Sequence, residues 1–325
     1  MQPKFWKKKS LLSLILTPLS LLYGIAGALR PAITKKYHAR IPVICVGNVT
    51  VGGAGKTPVV LAITELLRSS NLNVAIASRG YKGDIKNPTL VDKTRHTVNS
   101  VGDEPLMLSA IAPTYIAAKR PLAIQMAEKT SANIIIMDDG MQNPSVEKNI
   151  TLLVIDGHYG IGNGLVMPAG PLRESLSSGL QKADAVILVG SDDRGLLKHS
   201  GLRAKSAPPV IRARLEPFGN LPDKSAPYLA FAGIGNPDKF FSTLAGNGYN
   251  VVEEVPFPDH YNYSDNDINQ LIHKAEELGA QLITTEKDEV RLPFFARKKI
   301  KVLPVRIVWE DSSQIKELLE KALKK

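Results

Sequence analysis

The 325-residue chain contains little of what several protein classes depend on. Its single cysteine, Cys45, excludes an intramolecular disulfide and is typical of a protein kept in a reducing compartment. No histidine or cysteine spacing matches a zinc site, and no RNA-binding signature is present. There is also no internal repeat and no low-complexity tract. These absences exclude disulfide scaffolds, zinc modules and repeat architectures.

The composition is that of a globular protein with an acidic partner. Apolar residues make up 44% of the chain, which is enough for a real core in one large or two ordinary domains. The net charge is +10, so the partner is a nucleotide, an anionic lipid or a nucleic acid. Because no nucleic-acid motif accompanies the charge, we expect no nucleic-acid partner.

A glycine-rich turn is the most informative stretch of the sequence. The apolar run 41–46 predicts a strand, and the pattern over 58–67 predicts a helix. Between them lies Gly47-Asn48-Val49-Thr50-Val51-Gly52-Gly53-Ala54-Gly55-Lys56-Thr57. Strand, glycine-rich turn and helix are the context of a phosphate-binding loop, in which backbone N–H groups and the helix N-terminus face phosphate oxygens.

This loop predicts ATP and Mg²⁺ as cofactors. Lys56 would reach the β- and γ-phosphates, and the Thr57 hydroxyl would hold Mg²⁺. Thr50 stands where the general motif has its first glycine, and a structural turn with an incidental lysine is the alternative. The predicted nucleotide-binding residues are Thr50, Val51, Gly52, Gly53, Ala54, Gly55, Lys56 and Thr57.

Residues 1–40 differ from the rest of the chain. Residues 11–29 are uncharged and apolar, interrupted by Pro18, and basic residues flank them on both sides. The length just suffices to span a bilayer, and a signal peptide or a buried core helix are further interpretations. The nucleotide loop that follows needs cytosolic ATP. We therefore favour a segment lying on or dipping into the inner face of a membrane.

Strand and helix patterns alternate after the loop. Apolar strands at 74–78, 114–118, 133–137, 150–155 and 183–189 are separated by helical patterns or loops. Such alternation predicts an α/β fold: a mostly parallel sheet of the P-loop NTPase type with helices on both faces. We expect this kinase domain over 41–215 and a smaller C-terminal α/β domain over 216–325. The sequence leaves open on which of these two domains the terminal helix packs.

Charged residues follow several of these strands, where active residues of parallel sheets collect. Asp138-Asp139 follows an apolar strand and is typical of a Mg²⁺-binding Walker B element, although a turn aspartate pair is the alternative. Asp103 is either a general base for an acceptor hydroxyl or a helix cap. Candidate phosphate contacts are Arg79, Arg173 and Lys287, although ordinary solvated charge is the alternative for all three. His260 offers an imidazole, although a lone histidine in a loop is more often a surface residue.

A series of motifs resembles one family. They are Gly47–Pro58, Ser78-Arg79-Gly80-Tyr81, Gly102-Asp103-Glu104-Pro105, Asp138-Asp139-Gly140-x-Gln142, Pro168-x-Gly170-Pro171-Leu172-Arg173-Glu174, Phe231–Pro237, Asp259-His260-Tyr261 and Thr284–Asp288. In this order they resemble the tetraacyldisaccharide 4′-kinases, which phosphorylate lipid A precursors in Gram-negative bacteria. That family also carries threonine at the position of Thr50.

The resemblance implies transfer of a phosphoryl group from ATP to the 4′-hydroxyl of a tetraacylated glucosamine disaccharide 1-phosphate. It implies Asp103 as general base with His260 as its partner from the second domain, and Lys56 on the transferring phosphate. It places Thr57, Asp139, Gln142 and Glu174 around the metal. The catalytic group also includes Asp138 and Arg79, with the division of work between Asp138 and Asp139 open. Tyr81 and Arg173 would line the phosphoryl site or the lipid headgroup.

The resemblance further implies a peripheral position at the cytosolic face of the inner membrane. We expect a monomer, although the sequence does not determine the oligomeric state. The alternative is a membrane-associated P-loop regulatory ATPase without a small acceptor. Such ATPases often carry a lysine just before the Gly-Gly of the loop, where this chain has Val51, which argues against that class. A cofactor ligase on the same fold is a further alternative, which the apolar N-terminus disfavours because a soluble substrate needs no membrane segment.

Overall fold

The computed structural model describes residues 3–323 and divides the chain into two compact units. The smaller unit is Glu216–Arg306, and the larger unit comprises the described residues on either side of it. The terminal helix thus belongs with the larger unit, one of the two placements that the sequence left open.

Thirteen strands form two sheets among the described residues. They are β1 Val43–Gly47, β2 Val74–Ser78, β3 Thr89–Leu90, β4 Thr114–Ile116, β5 Ile134–Asp138, β6 Ile150–Asp156, β7 Ala185–Val189, β8 Val210–Pro217, β9 Pro227–Ala232, β10 Asn250–Pro256, β11 Gln281–Thr285, β12 Lys301–Leu303 and β13 Val305–Trp309. The larger sheet has the order β13-β8-β7-β6-β1-β5-β2-β4-β3, and the smaller β10-β9-β11-β12.

Twelve α-helices accompany them over the same part of the chain. They are α1 Leu11–Ile15, α2 Thr17–Ile33, α3 Lys56–Ser69, α4 Val98–Val101, α5 Asp103–Leu108, α6 Arg120–Ala127, α7 Leu176–Lys182, α8 Ser200–Arg203, α9 Pro237–Gly246, α10 Asp265–Glu277, α11 Glu286–Glu289 and α12 Ser312–Leu323.

The larger sheet is parallel from β8 to β4, with β3 antiparallel at its edge. Its central strands are apolar throughout because helices cover both faces. In β1, Ile44 and Val46 face a core shared with α3 and α12, whereas Val43 and Cys45 face a core shared with α6 and α7. Burial raises the pKa of the Cys45 thiol to about 11, as expected of a structural cysteine. The predicted α/β fold is confirmed.

The smaller unit is a second parallel sheet between two helices. On one face Phe240, Phe241 and Leu244 of α9 join the core, and on the other Ile268 and Leu271 of α10 do so. Ser264 begins α10 with a reciprocal capping box to Asp267.

The apolar N-terminal stretch forms two consecutive helices, α1 and α2, with Pro18 in the first turn of the second. Their polarity is inverted: Ser13 and Ser20 are the buried side chains, while leucine and isoleucine face outward. Within residues 3–323, no helix combines the length and apolarity needed to cross a membrane.

The sequence missed several short elements. The polar stretch 84–100 carries no helix or strand pattern, yet it contains β3 and most of α4. Helices α4 and α5 are separated at Gly102, where φ is +89°. Helix α7 precedes β7 unpredicted, and α8 interrupts the irregular stretch 191–209. Such short elements carry too few residues for a periodic pattern, so tertiary contacts determine them.

Candidate active site

The strand order places the predicted site segments side by side. Strand β1 lies between β6 and β5, and β5 is also paired with β2. All four are parallel, so the segments after them emerge at the same edge of the sheet. The phosphate loop, Arg79, the Asp138-Asp139 turn and Asp156 are therefore brought together in the larger unit.

The phosphate loop is braced from within by Asn48. The Asn48 side-chain amide donates to the Thr50 carbonyl at 2.7 Å, and its oxygen accepts from the Lys56 amine at 3.3 Å. Gly55 precedes α3 with a φ of +78°, a left-handed conformation that strains residues with a Cβ. Helix α3 begins at Lys56, whose side chain is buried, so this lysine stands at a helix N-terminus, where backbone N–H groups favour anions.

Asp139 is the anion at the centre of the site. Arg173 Nη1 lies 2.9 Å from both Asp139 carboxylate oxygens, and Lys56 Nζ lies 3.5 Å from one of them. Desolvation alone would raise the pKa of Asp139, but the charges of Lys56 and Arg173 lower it to about 2. Asp139 is therefore ionised at neutral pH, and two cations surround it.

The long loop 157–174 supplies Arg173 by pairing with the phosphate loop. The Val51 N–H donates to the Pro171 carbonyl at 2.8 Å, and the Arg173 N–H donates to the Val49 carbonyl at 2.7 Å. These two bonds align 171–173 antiparallel to 49–51. The loop thus fixes Arg173 beside Asp139.

Gln142 and Glu174 are joined at the same loop. The Gln142 amide donates to the Asn48 carbonyl at 2.8 Å and to Glu174 at 2.9 Å. Glu174 also accepts from the Ser178 hydroxyl and forms an ion pair with Lys182. Both predicted metal-site residues therefore lie against the phosphate loop, with hydrogen bonds already made.

Asp138 has a different environment from Asp139. It is buried, it accepts from the Ser78 hydroxyl at 3.3 Å, and its Oδ1 has no hydrogen-bond partner among the described residues. Burial raises its pKa to about 7, and the nearby charges of Glu104 and Asp139 act in the same direction. Neighbouring carboxylates thus differ in protonation at neutral pH.

The donors present fit Mg²⁺ bound together with a nucleotide. Residues 3–323 contain no group of three or more His, Cys, Asp or Glu side chains arranged to hold a metal. Mg²⁺ needs no such cage, because it usually takes one or two carboxylates and completes its octahedron with water and phosphate oxygens. The Thr57 hydroxyl and the unpartnered, buried Asp138 Oδ1 are hard oxygen donors of the required kind.

The other predicted residues of the larger unit lie at neighbouring strand ends. Asp103 is buried and begins α5, directly after Gly102. A Cβ at Gly102 would lie 2.4 Å from the Tyr81 carbonyl oxygen, so this close approach demands glycine. The Arg79 and Tyr81 side chains are exposed after β2, where they can meet a ligand.

His260 lies in the smaller unit, after β10. Its side chain is 14% exposed, and its Nε2 lies 3.8 Å from the Asp259 carboxylate. Its backbone φ is +60°, in the left-handed region that few non-glycine residues adopt. Lys287 lies in α11 of the same unit.

The sequence did not identify Arg120 and gave Asn48 no role. Arg120 is buried and donates to the backbone carbonyls of Asp138 and Asp139 at 3.1 and 3.3 Å, which supports the turn with Asp139 at a φ of +50°. An arginine at a helix start carries no local signal of this contact. Asn48 did carry one, because a polar side chain directly after a buried strand and inside a glycine-rich turn often braces the loop.

Comparison with known proteins identifies one and the same family along almost the whole chain. Residues 12–324 match the family model described as tetraacyldisaccharide-1-P 4′-kinase. A tetraacyldisaccharide 4′-kinase of Rhodospirillum centenum is 44% identical, covering 98% of this chain and 95% of that protein. One from Hyphomonas neptunium is 45% identical, covering 100% of this chain and 96% of that protein.

A solved structure agrees with these relatives. A crystal structure of LpxK from Aquifex aeolicus in complex with ATP superimposes with a TM-score of 0.78 at 27% sequence identity. The match covers 96% of this chain and 100% of that one. The fold of the chain is thus that of a protein crystallised with ATP.

The unusual state of Asp138 predicts a pH dependence of stability in the nucleotide-free protein. Its folded pKa of about 7 lies above the ordinary 3.8, so the folded state keeps a proton that the unfolded state has released. Stability due to this group is present below pH 4 and is lost as the pH rises towards 7, by up to about 1.4 kcal/mol per pH unit. The Asp138→Asn variant should lack this loss.

Denaturant unfolding in EDTA from pH 4 to 8 measures the effect. Asp138→Asn should match the wild type near pH 4 and exceed its free energy of unfolding at pH 8. Asp84→Asn, at an exposed position, is the control and should follow the wild type. A wild-type-to-Asn difference that stays constant over this range would contradict the assignment.

Proposed function

The chain belongs to the tetraacyldisaccharide-1-P 4′-kinase family, and we propose that it phosphorylates the 4′-hydroxyl of a tetraacylated glucosamine disaccharide 1-phosphate. It is an ATP-dependent lipid A 4′-kinase. The observation that carries this conclusion is the full-length family match joined to a phosphate loop whose lysine faces the Asp139 and Arg173 pair. A regulatory ATPase without an acceptor is disfavoured, because the matched family is described as a kinase.

The phosphate loop and its cations are assigned to the nucleotide. Phosphoryl transfer is catalysed mainly by positioning and charge neutralisation. The 50–57 backbone would hold the β- and γ-phosphates, with Lys56 and Arg173 neutralising charge as the γ-phosphoryl group leaves. In the free protein both cations pair with Asp139, so bound phosphate would compete for them.

The metal is assigned to the oxygen donors beside this loop. Mg²⁺ would be held by Thr57 and by an aspartate of the Asp138-Asp139 turn, with Gln142 and Glu174 supporting them. When bound it supplies neutralisation of phosphate charge. Asp138 would enter this site as a carboxylate, since a cation at its unpartnered oxygen favours the ionised form.

Asp103 and His260 are assigned to the acceptor hydroxyl. Support comes from the family resemblance of the Gly-Asp-Glu-Pro and Asp-His-Tyr motifs, and from the burial of Asp103 at the start of α5. Asp103 would take the proton of the 4′-hydroxyl, and His260 would orient that carboxylate and share the developing charge. The proposal requires the two units to bring these side chains together during the reaction.

The N-terminal helices are assigned to the cytosolic face of the inner membrane. On α2, Leu21, Leu22 and Ile25 are 63%, 64% and 56% exposed, which is costly in water and favourable in a lipid interface. Lysines precede the helices and Arg30 lies near the end of α2, where they can meet anionic headgroups. The substrate is itself an amphiphile, so this placement would bring the enzyme to it.

The kinase activity is tested by transfer of radiolabel from γ-labelled ATP to tetraacyl disaccharide 1-phosphate in mixed micelles. We expect labelled lipid, and a loss of about 10²-fold or more in Lys56→Ala, because a charge that stabilises the transition state is removed. Lys93→Ala, at an exposed position, should retain activity. ATP hydrolysis without labelled lipid would favour the regulatory ATPase.

The proton-transfer assignment predicts non-additive losses of turnover. Asp103→Ala and His260→Ala should each lower kcat, the first by about 10²-fold or more, while ATP still binds. Because the two would act as one unit, the double variant should lose little more than Asp103→Ala alone. His273→Ala is the control, since its side chain is 73% exposed. Fully additive losses, or unchanged turnover in Asp103→Ala, would refute the pair.

The membrane assignment predicts a loss of vesicle binding when the outer face of α2 is made polar. A variant carrying Leu21→Ser, Leu22→Ser and Ile25→Ser should partition at least tenfold less into phosphatidylglycerol-containing vesicles in a co-sedimentation assay. Val252→Ser, which is 46% exposed in the smaller unit, is the control. Equal binding of the triple variant and the wild type would exclude α2 as the anchor.

A further inference from the structure

The first and last residues of the Thr284–Asp288 motif are buried beneath the turn that carries His260. Asp288 and Thr284 are both 0% exposed, and Arg291 is also buried. None of them belongs to the nucleotide site, which lies in the other unit. The buried pair of Asp288 and Arg291 in a small domain needs an explanation. Burying charged groups costs free energy unless they are paired and hydrogen-bonded.

The turn above them holds His260 in an unfavourable backbone conformation. The Tyr261 N–H closes the turn by donating to the Pro258 carbonyl at 3.1 Å, which places His260 at its third residue. With a φ of +60°, His260 occupies a position that such turns usually give to glycine or asparagine. A histidine persists there only if its surroundings hold it.

The backbone carbonyl of Gly233 stabilises this conformation. The His260 N–H donates to the Gly233 carbonyl at 3.0 Å, and Arg291 Nη1 donates to the same oxygen at 2.7 Å. A Cβ at residue 233 would lie 2.9 Å from the Tyr263 hydroxyl and 3.1 Å from Tyr261 Cβ, so only glycine permits this approach. The Gly233 carbonyl thus joins the histidine turn to the buried arginine.

Asp288 fixes the backbone N–H of the same glycine. One carboxylate oxygen accepts from the Gly233 N–H at 2.9 Å, from the Tyr263 hydroxyl at 2.8 Å and from Arg291 at 3.1 Å. The second oxygen accepts from the Thr285 hydroxyl at 2.6 Å. Burial, followed by the Asp288 charge, raises the pKa of Tyr263, so its hydroxyl remains a donor.

We propose that Asp288 and Arg291 are positioning residues for His260: together they fix the backbone N–H and the backbone carbonyl of Gly233, and this carbonyl holds the histidine turn in its left-handed conformation. This inference rests on the role of His260 in the proposed function. In this role Asp288 acts through the backbone of Gly233 and not by contact with the reacting groups. This role gives the Thr284–Asp288 motif a function that its sequence alone does not suggest.

The test replaces Asp288 by asparagine, which keeps the shape and removes the charge. Hydrogen exchange at the His260 amide should be at least tenfold faster, because the Gly233 carbonyl is no longer fixed. We expect kcat for lipid phosphorylation to fall about tenfold with the KM for ATP unchanged. In a His260→Ala background, the same substitution should change kcat less than twofold. Asp223→Asn, an exposed aspartate of the same unit, is the matched control and should change none of these.

A merely structural role gives a different result. Equal loss of kcat with and without His260, or unchanged exchange at the His260 amide, would overturn the inference. If Asp288→Asn fails to fold, Tyr263→Phe and Arg291→Lys are judged by the same criteria. Full turnover in His260→Ala alone would refute the role of His260 in the proposed function, whereas faster amide exchange in Asp288→Asn would still support the anchor.

Discussion

The larger unit depends on the charge of Asp139. Its carboxylate lies between Lys56, at the start of the phosphate-loop helix, and Arg173, at the end of a loop far along the chain. Three segments are thus connected through one anion, and the low pKa of Asp139 follows from the two cations. A phosphate group carries the same sign of charge. In the proposed function, this arrangement would hold the cations in place before nucleotide binds, which limits the reorganisation that catalysis requires.

The loop that carries Arg173 also connects the site to the N-terminal helices. The Ser20 hydroxyl donates to the Val166 carbonyl at 2.7 Å and accepts from the Ala169 N–H at 3.0 Å. The Trp6 indole donates to the Pro168 carbonyl at 3.0 Å. The small polar face of α2 thus binds the loop of the larger unit, and its broad apolar face remains exposed. With α2 as the proposed membrane anchor, this attachment would hold the loop that carries Arg173 close to the surface from which a lipid substrate would come.

Two non-glycine residues assigned to the reaction adopt left-handed backbone conformations, and each is held by a buried arginine. Arg120 donates to the carbonyls of the Asp138-Asp139 turn, and Arg291 donates to the carbonyl that holds His260. A guanidinium group suits this task because it presents several donors in a rigid plane. In both places the side chain that determines the geometry lies one layer beneath the side chain assigned to the chemistry.

The α/β class, the phosphate loop and most central strands could be predicted from local patterns in the sequence: apolar runs, a glycine-rich turn and the start of a helix. The motif resemblance also selected Asp139, Arg173 and Glu174. The contact of Arg173 with Asp139, the different pKa values of Asp138 and Asp139, and the support of both by Arg120 became visible in the folded structure, which alone brings these groups together. The folded structure also decided that the serines of α2 face inward. Ion pairs, side-chain burial and charge–charge interactions depend on residues that are far apart in the chain, and no local pattern encodes them.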